Sequence, residues 1–135
     1  MREILFRGKR MDNGDWVFGD LIREPFGYCI QVVTGSGNGY RRKKYAISEE
    51  TVGQYTGLKD KNGKRIFEGD ILKSHYDSLF PDDVTFDLVV FCDSAWCIQQ
   101  NGFEPVPACA DMISDISEVV GNIYDNPELL EDNRS

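Results

Sequence analysis

No apolar run in this chain is longer than Leu88–Cys92. A membrane-spanning helix needs about 20 consecutive apolar residues, so the sequence offers none. The opening stretch Met1–Arg10 is charged throughout and has no apolar h-region. We therefore expect no export and no membrane partner, and a protein that stays in the cytoplasm of the cell that makes it. In that compartment the four cysteines, Cys29, Cys92, Cys97 and Cys109, are expected to remain reduced. Cations are scarce in the second half. Residues 74–135 hold one Lys/Arg, Arg134, against 13 Asp/Glu, whereas residues 1–73 hold 14 Lys/Arg against 10 Asp/Glu. Histidine is reduced to His75. Internal repeats and coiled-coil heptads are missing too. The glycine-rich Gly35–Gly39 lacks the Lys-Ser/Thr and the strand-to-helix setting of a phosphate loop.

What is present fits an ordinary globular chain. Hydrophobic residues make up 41% and charged residues 28% of 135, enough for one core without disulfide staples, and a single domain over residues 1–135 is expected. The net charge of −8 is less informative than its division between the halves. A bipolar chain can self-associate through complementary faces or offer an acidic surface to a basic partner. The plainer alternative is that the halves interleave and the asymmetry vanishes in space.

The chain is organised around Val52–Leu72, two apolar strand-like ends around a glycine-rich middle and a Glu68-Gly69-Asp70 bend. Asn62-Gly63 predicts a hairpin with positive φ at both residues, pairing 52–56 with 64–67, and the long loop from Gly57 to Gly63 predicts a bulge or a flared end. Gly69 supplies a conformation that other residues resist, and Ile71-Leu72 restart the strand. Before this run, strands are predicted at 2–6, 16–22 and 28–33, with a turn at Pro25–Gly27. A single helical or 3₁₀ turn capped by Ser48 follows at 47–51. After it, strands are predicted at 84–92, 95–100, 103–106 and 118–124, with turns at Asp93-Ser94 and Asn101-Gly102. His75–Asp83 reads as a mobile or inserted loop. Residues 108–117 suit a short helix or an anchored loop, and Asn126-Pro127 predicts the capped start of a short C-terminal helix. The expected fold class is all-β: a small SH3-like barrel built from the central hairpin, the strand from Asp70, the 84–100 hairpin and the closing strand, with an added N-terminal sheet. An OB-like barrel is the alternative.

The central run from Val52 to Ile71, together with Val120-Gly-Asn-Ile-Tyr-Asp-Asn-Pro-Glu-Leu129, Arg2–Arg7 and Trp16–Leu21, is similar to the YopX family of phage and prophage proteins. The resemblance spans nearly the whole chain. It implies a mostly β fold carried by phages and mobile elements, with no assigned reaction, cofactor or catalytic residue, so no active site is carried over.

Candidate chemistry is sparse. Cys92, Cys97 and Cys109 with His75 offer a tetrahedral donor set on paper, but Cys92 and Cys97 fall on two predicted strands rather than on a knuckle, and buried thiols commonly act as small hydrophobes. No metal and no cofactor are expected. No local signature links a cysteine to His75, and carboxylate pairs in so acidic a chain carry little information. An enzyme is not expected. The aromatics Trp16, Phe18, Tyr28, Tyr55, Phe67, Phe91 and Trp96 stand at strand positions that suit a core. The remaining candidate is the loop Tyr40, Arg41, Arg42, Lys43, Lys44 and Tyr45, the one concentrated basic cluster. It suits a phosphate backbone with aromatic stacking, or a solvated edge that resists aggregation. The expected function is that of a non-enzymatic accessory protein that binds a phage or host protein, as a homo-oligomer. The alternatives are a nucleic-acid-binding module using 40–45, which the acidic net charge disfavours, and an acidic nucleic-acid mimic acting on a basic host protein.

Overall fold

The computed structural model describes residues 2–76 and 83–131, so most of the expected 75–83 loop lies outside the described residues. The fold is all-β with short helices, and the chain forms two compact units, Met1–Tyr55 and Thr56–Ser135.

In the first unit, β1 (Phe6–Lys9), β2 (Trp16–Glu24), β3 (Gly27–Thr34), β4 (Arg41–Ile47) and the start of β5 (Gly53–Lys59) form an antiparallel sheet ordered β4-β3-β2-β1-β5. The sheet curls. Arg10 bridges to Ile47, Met11 N–H donates to the Ala46 carbonyl at 3.0 Å, and Ser48 N–H donates to the Lys9 carbonyl at 2.9 Å. The approach is close enough that a Cβ on Gly8 would meet Ile47 Cδ1 at 2.5 Å, so any side chain there would have to displace the buried Ile47. Ile30 and Ile47 are buried inside it.

Three expectations change in this unit. The first strand begins at Phe6, not at Arg2. Residues 41–45 are not a loop, because β4 pairs with β3 from Tyr28↔Ile47 to Thr34↔Arg41. Lys and Arg are poor strand formers, and the ladder to β3 overrides that preference. A 3₁₀ turn does form at Glu49–Thr51, but the Ser48 side chain does not cap it; instead the Thr51 hydroxyl donates to the Ser48 carbonyl at 2.7 Å.

In the second unit, β7 (Asp70–His75), β8 (Val84–Cys92), β9 (Ala95–Gln100), β10 (Val106–Pro107) and β11 (Ser117–Asn122) form an open antiparallel sheet ordered β10-β9-β8-β7-β11, while β6 (Arg65–Phe67) lies beside the end of β5. Helices α1 (Ala110–Ile116) and α2 (Glu128–Glu131) complete it. The core is Ile66, Leu72, Val89 and Ile113, flanked by Leu58, Trp96, Ile98 and Val119. Among the described residues the strands do not close into a barrel. The central hairpin strand β6 stands outside the sheet that holds β7, β8, β9 and β11.

The turns are informative. Asn62-Gly63 was expected to carry two positive φ angles, but only Gly63 does, at 78°, with its N–H on the Asp60 carbonyl at 3.0 Å. This is a type I turn closed by a left-handed glycine, the usual answer when the hairpin loop exceeds two residues. The two-residue turn with positive φ at both positions occurs at Asp93 (52°) and Ser94 (66°). Asn126 does not cap α2 with its side chain; its Oδ1 accepts from Asn122 N–H at 3.3 Å.

Candidate functional site

Strand β4 is the outer strand of the first unit's sheet, and its cations are exposed from Arg41 to Lys44. The strand period divides them between two faces. Arg41, Lys43 and Tyr45 share a face with Thr34, Val32 and Ile30, whereas Arg42 and Lys44 share the other with Val33 and Gln31. Cations and rings are in contact: Arg42 lies 5.2 Å over Tyr40, and both Arg10 (4.5 Å) and Lys43 (5.2 Å) lie over Tyr45. Arg10, Lys43, Lys44 and Tyr45 line one shallow cleft of about 350 Å³ with Met11 and Asp12. Further along the same unit, Arg7 and Lys9 lie over Trp16 at 4.7 and 5.6 Å.

Some of this charge is spent within the unit. Arg10 Nε and an Nη donate to Asp12 at 2.9 and 2.6 Å, which raises the guanidinium pKa and lowers that of the carboxyl. Lys44 Nζ donates to Glu24 at 2.7 Å, which raises its pKa. Exposed pairs of this kind contribute little stability. The expected residues 40–45 are therefore brought together, on a strand rather than on a loop, and the structure adds Arg10 to them. Arg10 had no local signal, because only the curl of the sheet brings β1's end to β4.

All four cysteines are free thiols. Cys97 is buried and its thiol donates to the Cys92 carbonyl at 3.7 Å, while Cys109 is exposed. Burial, then the neighbouring Asp93, pushes the Cys92 thiol up. Among the described residues no group of three His, Cys, Asp or Glu side chains has metal-binding geometry, and no helix is long and apolar enough to cross a membrane.

Two buried acids were missed. Asp60, 4% exposed, accepts Asn62 N–H and Lys64 N–H on Oδ1 and Val119 N–H on Oδ2, each at 2.9 Å. Together with Lys61 N–H on the Ser117 carbonyl at 2.9 Å, it gives the outer edge of β11 the partners that a further strand would have supplied. Asp87, 3% exposed, lies on β8 opposite Leu72 and Gln100. Burial pushes its carboxyl up, partly offset by hydrogen bonds from Thr85 and Ser74. The signal for Asp87 was available: it is the one charge inside the predicted strand 84–92, whose other residues are apolar except Thr85.

A family model described as YopX protein matches residues 5–131 of the chain. A crystal structure of protein EF1440 from Enterococcus faecalis is similar in fold, with a TM-score of 0.66 and 23% identity, covering 96% of this chain and 99% of that one. Among curated proteins none matches.

Proposed function

We propose, from the premise that this chain belongs to the YopX family, that it is a phage or prophage accessory protein that works by binding protein rather than by catalysis. The observation that carries this reading is the edge of β4. Among the described residues no strand pairs with its outer side over Arg41–Tyr45. Such an edge accepts an extended segment by strand addition, with backbone bonds giving affinity and flanking side chains giving selectivity. Four successive cations select an acidic segment, and the chain holds its own complement, since residues 74–135 have 13 Asp/Glu and one Lys/Arg. Self-association in the bacterial cytoplasm is therefore the form in which we expect the protein to act.

Light scattering at micromolar concentration tests this. Wild type is expected as an oligomer at low salt, and Arg41→Glu/Lys43→Glu as a monomer. A wild-type monomer that also recovers no partner from host lysate would overturn the reading.

Nucleic-acid binding by Tyr40–Tyr45 is the second reading, favoured by the contact of cations with rings along β4. Two facts rank it lower: the ring of Tyr45 already lies under Arg10 and Lys43, and the chain's net charge of −8 repels a polyanion. A gel-shift titration with no salt-sensitive band at low salt eliminates it. Mimicry of nucleic acid by the acidic half predicts capture of DNA-binding proteins by wild type, and not by a chain whose acids in 111–132 are neutralised.

A further inference from the structure

The core face of the second unit's sheet changes character along its length. Leu72, Val89 and Ile98 point into the core, and the same face then carries Asp87 and Gln100 in one row and Ser74, Thr85 and Ser117 in the next. Ser74 and Ser117 bond to each other at 2.7 Å, and the Thr85 hydroxyl donates to Asp87 Oδ2 at 3.2 Å. Asp87 opens onto a cleft of about 250 Å³, walled by Tyr76, Ile98, Phe103 and Val106 with Glu104 at its side. The two rings are well exposed, Tyr76 at 48% and Phe103 at 65%.

A carboxylate has room for about four hydrogen bonds, and removing it from water is costly unless a cation or several donors meet it. Asp87 meets two hydroxyls. Among the described residues no cation pairs with it: Lys73 pairs with Phe86 and so projects from the opposite face, and after Lys73 the chain has no Lys or Arg until Arg134. The titratable or charged groups that line the cleft with Asp87 are Tyr76 and Glu104. Its floor is therefore anionic and its walls are apolar and aromatic. Rings around a carboxylate form a receptor for an organic cation, since the ring faces attract positive charge and the walls shelter the alkyl stem. A metal ion is a poorer match, because hard cations require several oxygen ligands.

We propose that this cleft binds a primary alkylammonium group, with the ammonium on Asp87 and its alkyl stem between Tyr76 and Phe103. The volume admits a chain of a few carbons, as in a small aliphatic diamine or the side chain of a lysine. The surplus of acidic residues after Lys73 draws such cations toward it. The proposal is independent of the edge of β4.

The test is a titration of the full chain, followed by amide NMR, with 1,4-diaminobutane, with N-acetyl-lysine methylamide and with neutral 1,4-butanediol. Saturable shifts centred on Asp87 and Phe103 are expected from at least one amine and none from the diol. Binding is expected to weaken about tenfold in Asp87→Asn and several-fold in Phe103→Ala, both checked for folding by thermal melts. Saturation by the diamine alone identifies a free amine as the ligand, and saturation by the lysine derivative alone identifies a protein side chain. If neither amine saturates, if the diol binds equally, or if both variants bind like wild type, the proposal fails.

Discussion

The turn at Asp60 and the cleft at Asp87 contain acids that are almost equally buried, 4% and 3% exposed, yet the fold uses them differently. Asp60 is met by three backbone N–H groups, from Asn62, Lys64 and Val119. Asp87 is met by side-chain hydroxyls, and burial raises its pKa. Burial alone therefore does not distinguish a structural acid from a binding one. What distinguishes them is how much of the carboxylate's bonding capacity the chain itself fills. A satisfied acid holds the scaffold, whereas a partly satisfied one is left with capacity for something else.

The sharpest way to break this contrast is to remove the satisfied acid. Asp60→Ala leaves three N–H groups without their acceptor, at about 1–3 kcal/mol for each one that stays buried. The expected loss is about 3 kcal/mol or more, read as a fall in the urea midpoint. A variant within 0.5 kcal/mol of wild type, to take a rough surface-substitution threshold, would show that Asp60 is not the pin we describe. Next in size is Gly69→Ala. Gly69 has φ 93°, with its N–H on the Val89 carbonyl and its carbonyl accepting from Ile123 N–H, both at 2.9 Å. A side chain in that conformation costs about 1–2 kcal/mol. Partner binding is expected to be unchanged in the folded fraction. Loss of binding at unchanged stability would move this bend from scaffold to site.

Much of the second unit was legible in the sequence because its signals are local. The 84–92 and 95–100 strands, the Asp93-Ser94 turn and the Gly69 bend each follow from a few adjacent residues. Asp60 was not legible, since Val119, the partner that gives it its role, lies 59 residues away. The same holds for β4, whose four cations contradict strand propensity and are ordered by the ladder to β3. Barrel closure was beyond the sequence as well, because strand order is set by long-range pairing. No local pattern announced that β6 would stand apart from β7 and β8.

Replacing the partly satisfied acid should have the opposite sign. In the folded chain the Asp87 carboxyl is raised above its ordinary value of 3.8. Its contribution to stability is therefore fully present below that value and is lost as pH rises through the folded one. At neutral pH Asp87→Asn is expected to be neutral or to stabilise by about 1 kcal/mol, because it removes the cost of a buried charge and keeps an acceptor for the hydroxyls. Thermal melts from pH 3 to 8, roughly spanning ordinary carboxyl titration, should show the variant gaining on wild type as pH rises. A variant that loses ground over that range would mean that the carboxylate is satisfied after all, and the contrast with Asp60 would collapse.

The smallest effect on stability is expected where the fold uses charge least. Arg41 and Lys43 are exposed on the outer strand, and among the described residues neither forms an ion pair. Lys43 lies over the ring of Tyr45, at 5.2 Å. Their reversal in Arg41→Glu/Lys43→Glu should change stability by no more than about 0.5 kcal/mol, the usual range for surface substitutions. It should still abolish self-association, and raising the salt should weaken association of wild type in the same direction, because exposed charges about 10 Å apart are screened at 0.1 M. The two readouts together extend the contrast between Asp60 and Asp87 to the surface. If the double variant lost stability as Asp60→Ala does, the row of cations would belong to the scaffold and the edge of β4 would lose its claim to a partner. If stability and association both stayed put, the cations would serve only to keep an exposed strand from aggregating, and the binding role would have to be sought in the second unit.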